Sequence, residues 1–202
     1  QTHFENVTVN YSIITASTTA DGSGTDYTLA SGTATITAGQ TSTTVSFSVV
    51  NDDIDEPNET IGIQLSSPVY AVIGSNTSTL YTIIDNDTAG VTITESSGST
   101  AVTEGGSTDS FTVVLTSQPT STVQVLFSTS TNGLTLSTST LTFTSSNWSS
   151  AQTVTVSATD DSVYESTHAT SVAPTLSTTA YGYNALSITP FAVTITDNES
   201  SD

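Results

Sequence analysis

The sequence predicts an all-β protein made of two tandem antiparallel β-sandwiches, residues 1–88 and 89–202, the first lacking its first two strands. Three observations carry this. Apolar side chains recur at every second position in short runs, turn residues separate the runs, and one set of runs occurs twice. Thr, Ser and Val dominate the composition, good helix formers are few, and no 3.6-residue period competes.

In chain order, the first half alternates at Val7, Val9, Tyr11 and Ile13, then at Ala34 and Ile36, then at Val45, Phe47 and Val49. Ile61, Ile63 and Leu65 follow, then Tyr81 and Ile83. The second half alternates at Val91 and Ile93, at Phe111, Val113 and Leu115, and at Val123, Val125 and Phe127. It ends with Leu141 and Phe143, Val154 and Val156, and finally Phe191, Val193 and Ile195. Stretches such as Asp21-Gly22-Ser23-Gly24 and Asn132-Gly133 supply the turns. Short strands at this spacing describe sandwiches.

The repeat aligns Gln1–Ile13 with Gln118–Ser130, Val45–Glu56 with Val154–Glu165, and Tyr81–Asp87 with Val193–Glu199. The boundary falls at Thr88-Ala89-Gly90, too short for a flexible linker. The second copy opens with Gly90–Ser117, read here as two strands that the first copy lacks. A sandwich without them exposes core and open edges. Two sources would cover these: adjacent repeats of an array or filament, head to tail, or strand complementation by copies of the same chain.

The chain has no Lys or Arg and a formal charge of −19. Nucleic acid and anionic membrane surfaces, which need basic partners, are excluded as ligands. No run of about twenty apolar residues inserts into a membrane. Cysteine is absent, so disulfides are excluded. Gln1 reads as the start of mature or excised material. A chain without basic side chains offers trypsin-like proteases no cleavage site and relies on counterions, which suits an extracellular or cell-surface protein.

The acids concentrate in Asn51-Asp52-Asp53-Ile54-Asp55-Glu56-Pro57-Asn58-Glu59, three aspartates and two glutamates in nine residues. Two carboxylates ~5 Å apart at an effective dielectric of ~20 repel by roughly 3 kcal/mol. Without a basic side chain to pair with, either this segment stays solvated and spread out or a cation gathers it. Hard carboxylate and amide oxygens favour Ca²⁺ over zinc or copper.

At this point the residues resemble the Calx-beta family, the Ca²⁺-binding sandwich of sodium–calcium exchangers and of many extracellular adhesins and matrix proteins. In the first copy the matching residues are Asp21-Gly22, Thr25-Asp26-Tyr27, Gly32-Thr33-Ala34 and Ala38-Gly39-Gln40-Thr41. They continue with Asn51-Asp52-Asp53, Glu56, Glu59-Thr60, Leu65-Ser66-Ser67-Pro68 and Ile83-Ile84-Asp85-Asn86-Asp87. The second copy keeps Val102-Thr103-Glu104-Gly105, Asp160-Asp161, Glu165 and Thr196-Asp197-Asn198-Glu199. Asn132-Gly133 replaces its Asp-Gly turn, and His168 stands where Glu59 does. The resemblance implies immunoglobulin-like sandwiches with calcium ligands gathered at one end. In the first copy it points to Asp21, Asn51, Asp52, Glu56, Glu59, Asp85, Asn86 and Asp87. In the second it points to Glu104, Asn132, Asp160, Asp161, Glu165, Asp197 and Asn198. An early glutamate, matched by Glu104, is missing from the first copy.

No nucleophile elbow, phosphate loop or dinucleotide fingerprint occurs, so no enzyme is expected. Sequons at Asn6, Asn10, Asn58, Asn76, Asn86, Asn147 and Asn198 leave room for attached glycans. The reading is a calcium-stabilised structural unit of an extracellular filament, adhesin stalk or matrix such as a biofilm, stiffened by ions at domain ends and junctions. The alternatives are a calcium sensor and a ligand- or carbohydrate-binding module.

Overall fold

A computed structural model describes residues 4–22, 24–130 and 133–201. Its contacts divide into two compact units. One holds residues up to Asp52 together with Pro57–Asn86; the other holds Asp53–Glu56 and Asp87 onward.

The second unit is a complete sandwich of nine strands: β5 Val91–Glu95, β6 Thr100–Thr103, β7 Asp109–Leu115, β8 Val123–Thr129, β9 Leu134–Leu136, β10 Thr140–Phe143, β11 Gln152–Ala158, β12 His168–Ser177 and β13 Phe191–Thr196. One sheet runs β10-β8-β12-β13-β6 and the other β5-β7-β11-β9. Every pair is antiparallel except β13 with β6. The alternation explains the layers, because successive side chains of a strand point to opposite faces. Phe111, Val125, Phe143, Val154, Val172 and Ile195 all turn inward and are almost fully buried. Phe111 meets Phe127 and Phe191 edge-on, with centroids 5.2 and 4.9 Å away. Tyr183 is buried beside Ser117 and donates its hydroxyl hydrogen to the Ser117 carbonyl at 2.6 Å. Trp148 packs half-buried against this core.

The first unit holds one four-stranded antiparallel sheet, order β2-β1-β3-β4: β1 Val7–Ile13, β2 Gly32–Ile36, β3 Glu59–Val69 and β4 Ser78–Ile83. A bulge opposite Val9 puts Ser67 at φ 47°, so Leu65-Ser66-Ser67-Pro68 is a kink in β3. This sheet repeats β10-β8-β12-β13. Tyr11 faces Leu65 as Phe127 faces Pro174, and Glu59 faces Ile83 as His168 faces Ile195.

Several sequence expectations need correction. Gly90–Ser117 contains three strands, because β6 lies between the two that alternation shows. β9 and the ten-residue β12 were also missed. β12 carries Pro174 and no continuous apolar alternation, features that argue against a central strand. The ladders match Val7, Val9 and Tyr11 to Val123, Val125 and Phe127, one residue away from the sequence alignment of Gln1 with Gln118. A one-residue slip exchanges the two faces of a strand, so the ladder decides. Finally, Val45–Val49 forms no strand. Its counterpart β11 is held between β7 and β9, whereas Val49 has a single bridge to Tyr27. Among the described residues no strand pairs with the other edge of this segment.

The two units therefore bury equivalent positions unequally. Val154 is fully buried and Val45 is 39% exposed. In urea unfolding followed by circular dichroism, Val154→Ala should cost about 2 kcal/mol. Val45→Ala should stay within about 0.5 kcal/mol. Equal costs would show that the first unit buries this segment too.

Candidate metal centre

In the second unit the acids converge at the end of β6. The Glu104 backbone N–H donates to the Thr196 carbonyl at 3.0 Å, and Glu104 also bridges Ala158, so the residue is tied to both sheets. Gly105 follows at φ 56°, and a Cβ built there would lie 2.6 Å from Asp160 Oδ1. Only glycine lets the Asp160 carboxylate come this close to the backbone.

Carboxylate oxygens of Glu104, Asp197 and Glu199 lie within 4.8 Å of one another. Glu104 is 4% exposed, and both Glu104 Oε2 and Glu199 Oε2 are buried without a hydrogen-bond partner. Asp197 is fixed by three backbone N–H groups. It accepts the backbone N–H of Glu165 at 2.6 Å, of Ser166 at 2.8 Å and of Glu199 at 3.0 Å. Asn198 Nδ2 donates to Asp160 Oδ1 at 2.9 Å, and Asp161 Oδ1 accepts the Val163 N–H at 2.7 Å.

The electrostatics follow. Hydrogen bonds from Glu199, foremost its backbone N–H, hold Asp197 down at about 2. The hydrogen bond that Glu199 shares with Asp197 pushes Glu199 up to about 7, helped by burial and by repulsion from Asp197, Glu104 and Asp160. Burial raises Glu104, as does the charge on Asp161, Asp197 and Glu165, while His168 lowers it. Every second-copy candidate among the described residues thus belongs to one neighbourhood: Glu104, Asp160, Asp161, Glu165, Asp197 and Asn198. Asn132 lies outside the described residues. Gly133 is the structural counterpart of Asp26, since Thr159 N–H reaches the Gly133 carbonyl as Val50 N–H reaches that of Asp26.

In the first unit, Asp26 and Glu59 place carboxylate oxygens within 4.8 Å of each other. The Asp21 N–H donates to the Asp26 carboxylate, and the Asp26 N–H returns to the Asp21 carbonyl at 2.9 Å. Asn51 turns its amide onto the Asp52 carbonyl at 3.1 Å. The Asp85 N–H is received by Asn58 Oδ1 at 3.0 Å, and Asn86 is exposed. Glu56 and Asp87 belong to segments that group with the second unit, where Asp55 Oδ2 accepts the Ala89 N–H at 3.1 Å.

Sequence reasoning did not select Asp26 or Glu199. The signal for Glu199 was present, because the repeat already aligned it with Asp87. Asp26 sits directly before the bridging Tyr27, within a quoted motif.

The second-unit donors fit a hard divalent cation: all are oxygens, several are anionic, and two are buried without a hydrogen-bond partner. The profile of the Calx-beta domain matches residues 2–97 and again 85–199. The chain belongs to the Calx-beta domain family. Calx-beta domains are calcium-binding, non-enzymatic β-sandwich modules that occur in extracellular or surface regions of proteins. No curated protein matches the chain. Among solved structures, CBD12 from CALX1.2 is 21% identical, with 90% of this chain and 73% of that chain covered at a TM-score of 0.38. The calcium binding domain CBD12 of CALX1.1 is 19% identical, with 85% and 67% covered at 0.40. The D00-D0 domain of intimin is 14% identical, with 76% and 71% covered at 0.35. No helix among the described residues is long and apolar enough to cross a membrane.

The raised Glu199 gives this Calx-beta pair a pH signature without metal. A carboxyl whose folded pKa exceeds its unfolded value stabilises fully below the unfolded value and loses that stabilisation as pH rises through the folded one. In EDTA the melting temperature of the second unit should therefore fall between about pH 4.5 and pH 7. Asp197, already ionised, adds no slope there. Thermal melts of wild type and Glu199→Gln test this: the variant should lose most of the slope, and an unchanged slope would contradict the assignment.

Proposed function

We propose that the chain is a calcium-stabilised structural repeat unit of an extracellular filament, adhesin stalk or matrix protein. The observation that carries the reading is the buried, unpartnered Oε2 of Glu104 beside Asp197 and Glu199, in a chain with no Lys or Arg. A buried carboxylate needs a partner, and removing it from water unpaired costs several kcal/mol. A Ca²⁺ ion supplies the missing positive charge. Glu104, Asp160, Asp161, Asp197 and Glu199 would hold it, with Glu165 and Asn198 beside them.

In this reading the ion acts as a cross-link between elements distant in sequence. Glu104 follows β6, Asp160 and Asp161 follow β11, and Asp197 follows β13, so one ion ties three strand ends. Asp26 and Glu59 are the first unit's contribution to the same chemistry. Ions held at domain ends and at the junction would make a constitutive stiffener, suited to a surface bathed in calcium, with copies of the module following one another head to tail.

Scanning calorimetry in calcium and in EDTA tests the proposal, with electron microscopy of native material to show whether it assembles as filaments. Calcium at 100-fold its dissociation constant should stabilise the chain by about 2.7 kcal/mol per site. Glu104→Gln should abolish the gain for the second unit. The same melting temperature in both buffers, or native material consisting only of dispersed particles, would refute it.

A further inference from the structure

The sequence leaves two fates for the acidic stretch 51–59, solvation or a cation, and the structure shows a third at Asp55. This residue is half-buried, and its carboxylate sits on backbone groups of the second unit. The Ala89 N–H donates to Asp55 Oδ2 at 3.1 Å, and the Gln118 N–H donates to the Asp53 carbonyl at 2.6 Å. Gly182 forms the floor of the seat at φ 72°. A Cβ built there would overlap the Asp55 carboxylate and lie 2.6 Å from the Ala89 Cβ. Only glycine lets backbone and carboxylate approach this closely.

The seat is built from groups that are themselves tied down. The Thr116 N–H donates to the Gly90 carbonyl at 2.9 Å and the Thr116 hydroxyl to the Thr88 carbonyl at 2.7 Å, which holds Ala89 between them. Tyr183, next to Gly182, donates its hydroxyl hydrogen to the Ser117 carbonyl and accepts the Ser117 N–H at 3.1 Å, one residue before Gln118. Ala89, Ser117 and Tyr183 are all buried. A carboxylate that accepts an N–H on such a frame makes a charge-assisted hydrogen bond, stronger than a neutral one. Asp53–Glu56 belong to the second unit with the residues that hold them, so the chain enters that unit at Asp53, leaves it after Glu56 and returns at Asp87. The repeat puts Tyr164 where Asp55 stands, so the second copy does not carry this carboxylate.

We propose that Asp53–Glu56 is a clasp, a short acidic segment that the second unit holds through the Asp55 carboxylate with its own backbone groups and no cation. The clasp attaches the chain to the second unit at a place separate from the continuous stretch that begins at Asp87, and it holds in calcium and in EDTA alike. It uses none of Glu104, Asp160, Asp161, Asp197 and Glu199, so it stands or falls separately from the calcium reading.

The test is amide hydrogen exchange of the full chain, followed residue by residue by NMR, first in EDTA and then in calcium. In EDTA the Ala89 and Gln118 amides should be protected. Asp55→Ala should speed exchange at Ala89 about tenfold or more, and Gln118 should follow. Asp55→Tyr, which imports the residue of the second copy, should do the same. The Val154 and Val156 amides of β11 should exchange as in wild type, and calcium should not restore the lost protection. Unprotected Ala89 and Gln118 amides in wild type would overturn the proposal. So would protection that comes only with calcium, since an ion would then hold the segment. Unchanged exchange at either amide in Asp55→Ala would overturn it too, as would equal acceleration at Val154 and Val156, which would make Asp55 a support of the whole fold.

Discussion

Like charges gathered at the end of a sandwich, in a chain that contains no Lys or Arg to offset them, are the constraint on which the second unit turns. Glu104 is the centre of it. Its backbone is held between the end of β13 and the end of β11, and its side chain is buried. Gly105 then brings Asp160 against the same turn. The fold places carboxylates together by backbone geometry and leaves their charge to be balanced by something else. The hydrogen bond that Glu199 shares with Asp197 pushes Glu199 up, while hydrogen bonds from Glu199, foremost its backbone N–H, hold Asp197 down. A cation and a proton compete for the same oxygens.

Comparison of the two units separates what the sheet needs from what the sandwich needs. Both build the same four-strand ladder, down to equivalent facing pairs. Among the described residues, β5, β6 and β7 stand in front of the second ladder and bring Phe111 into the core and Glu104 into the acid group. The first unit compensates with a small core of Ala20, Tyr27, Leu29 and Ile61, and with the Phe47–Tyr81 ring contact at 5.4 Å. Its acids lack a counterpart of Glu104 and use Asp26 and Glu59, from the Asp21–Asp26 loop and the start of β3.

Much of this was legible in the sequence because period-two alternation maps directly onto a half-buried strand. β1, β7, β8, β11 and β13 announce themselves that way. What stayed hidden had specific causes. β12 carries Pro174 in mid-strand, and the four-residue β6 is too short to show a period. Val45–Val49 has a strand's pattern without a strand's partner, which no local signal reveals. Among the acids, Asp160, Asp161 and Asp197 could be named from clustering and family motifs. The burial of Glu104 depends on a parallel β6–β13 pairing that brings together residues about ninety positions apart.

The most direct measurement is a crystal structure of the chain grown from calcium, with anomalous differences recorded near the calcium edge. The account predicts a peak in the second unit about 2.4 Å from Glu104 Oε2 and from the Asp197 carboxylate, with further oxygens completing six to eight. A well-ordered structure from calcium with no peak there, and with Glu104 and Glu199 sharing a proton or bridged by water, would contradict it.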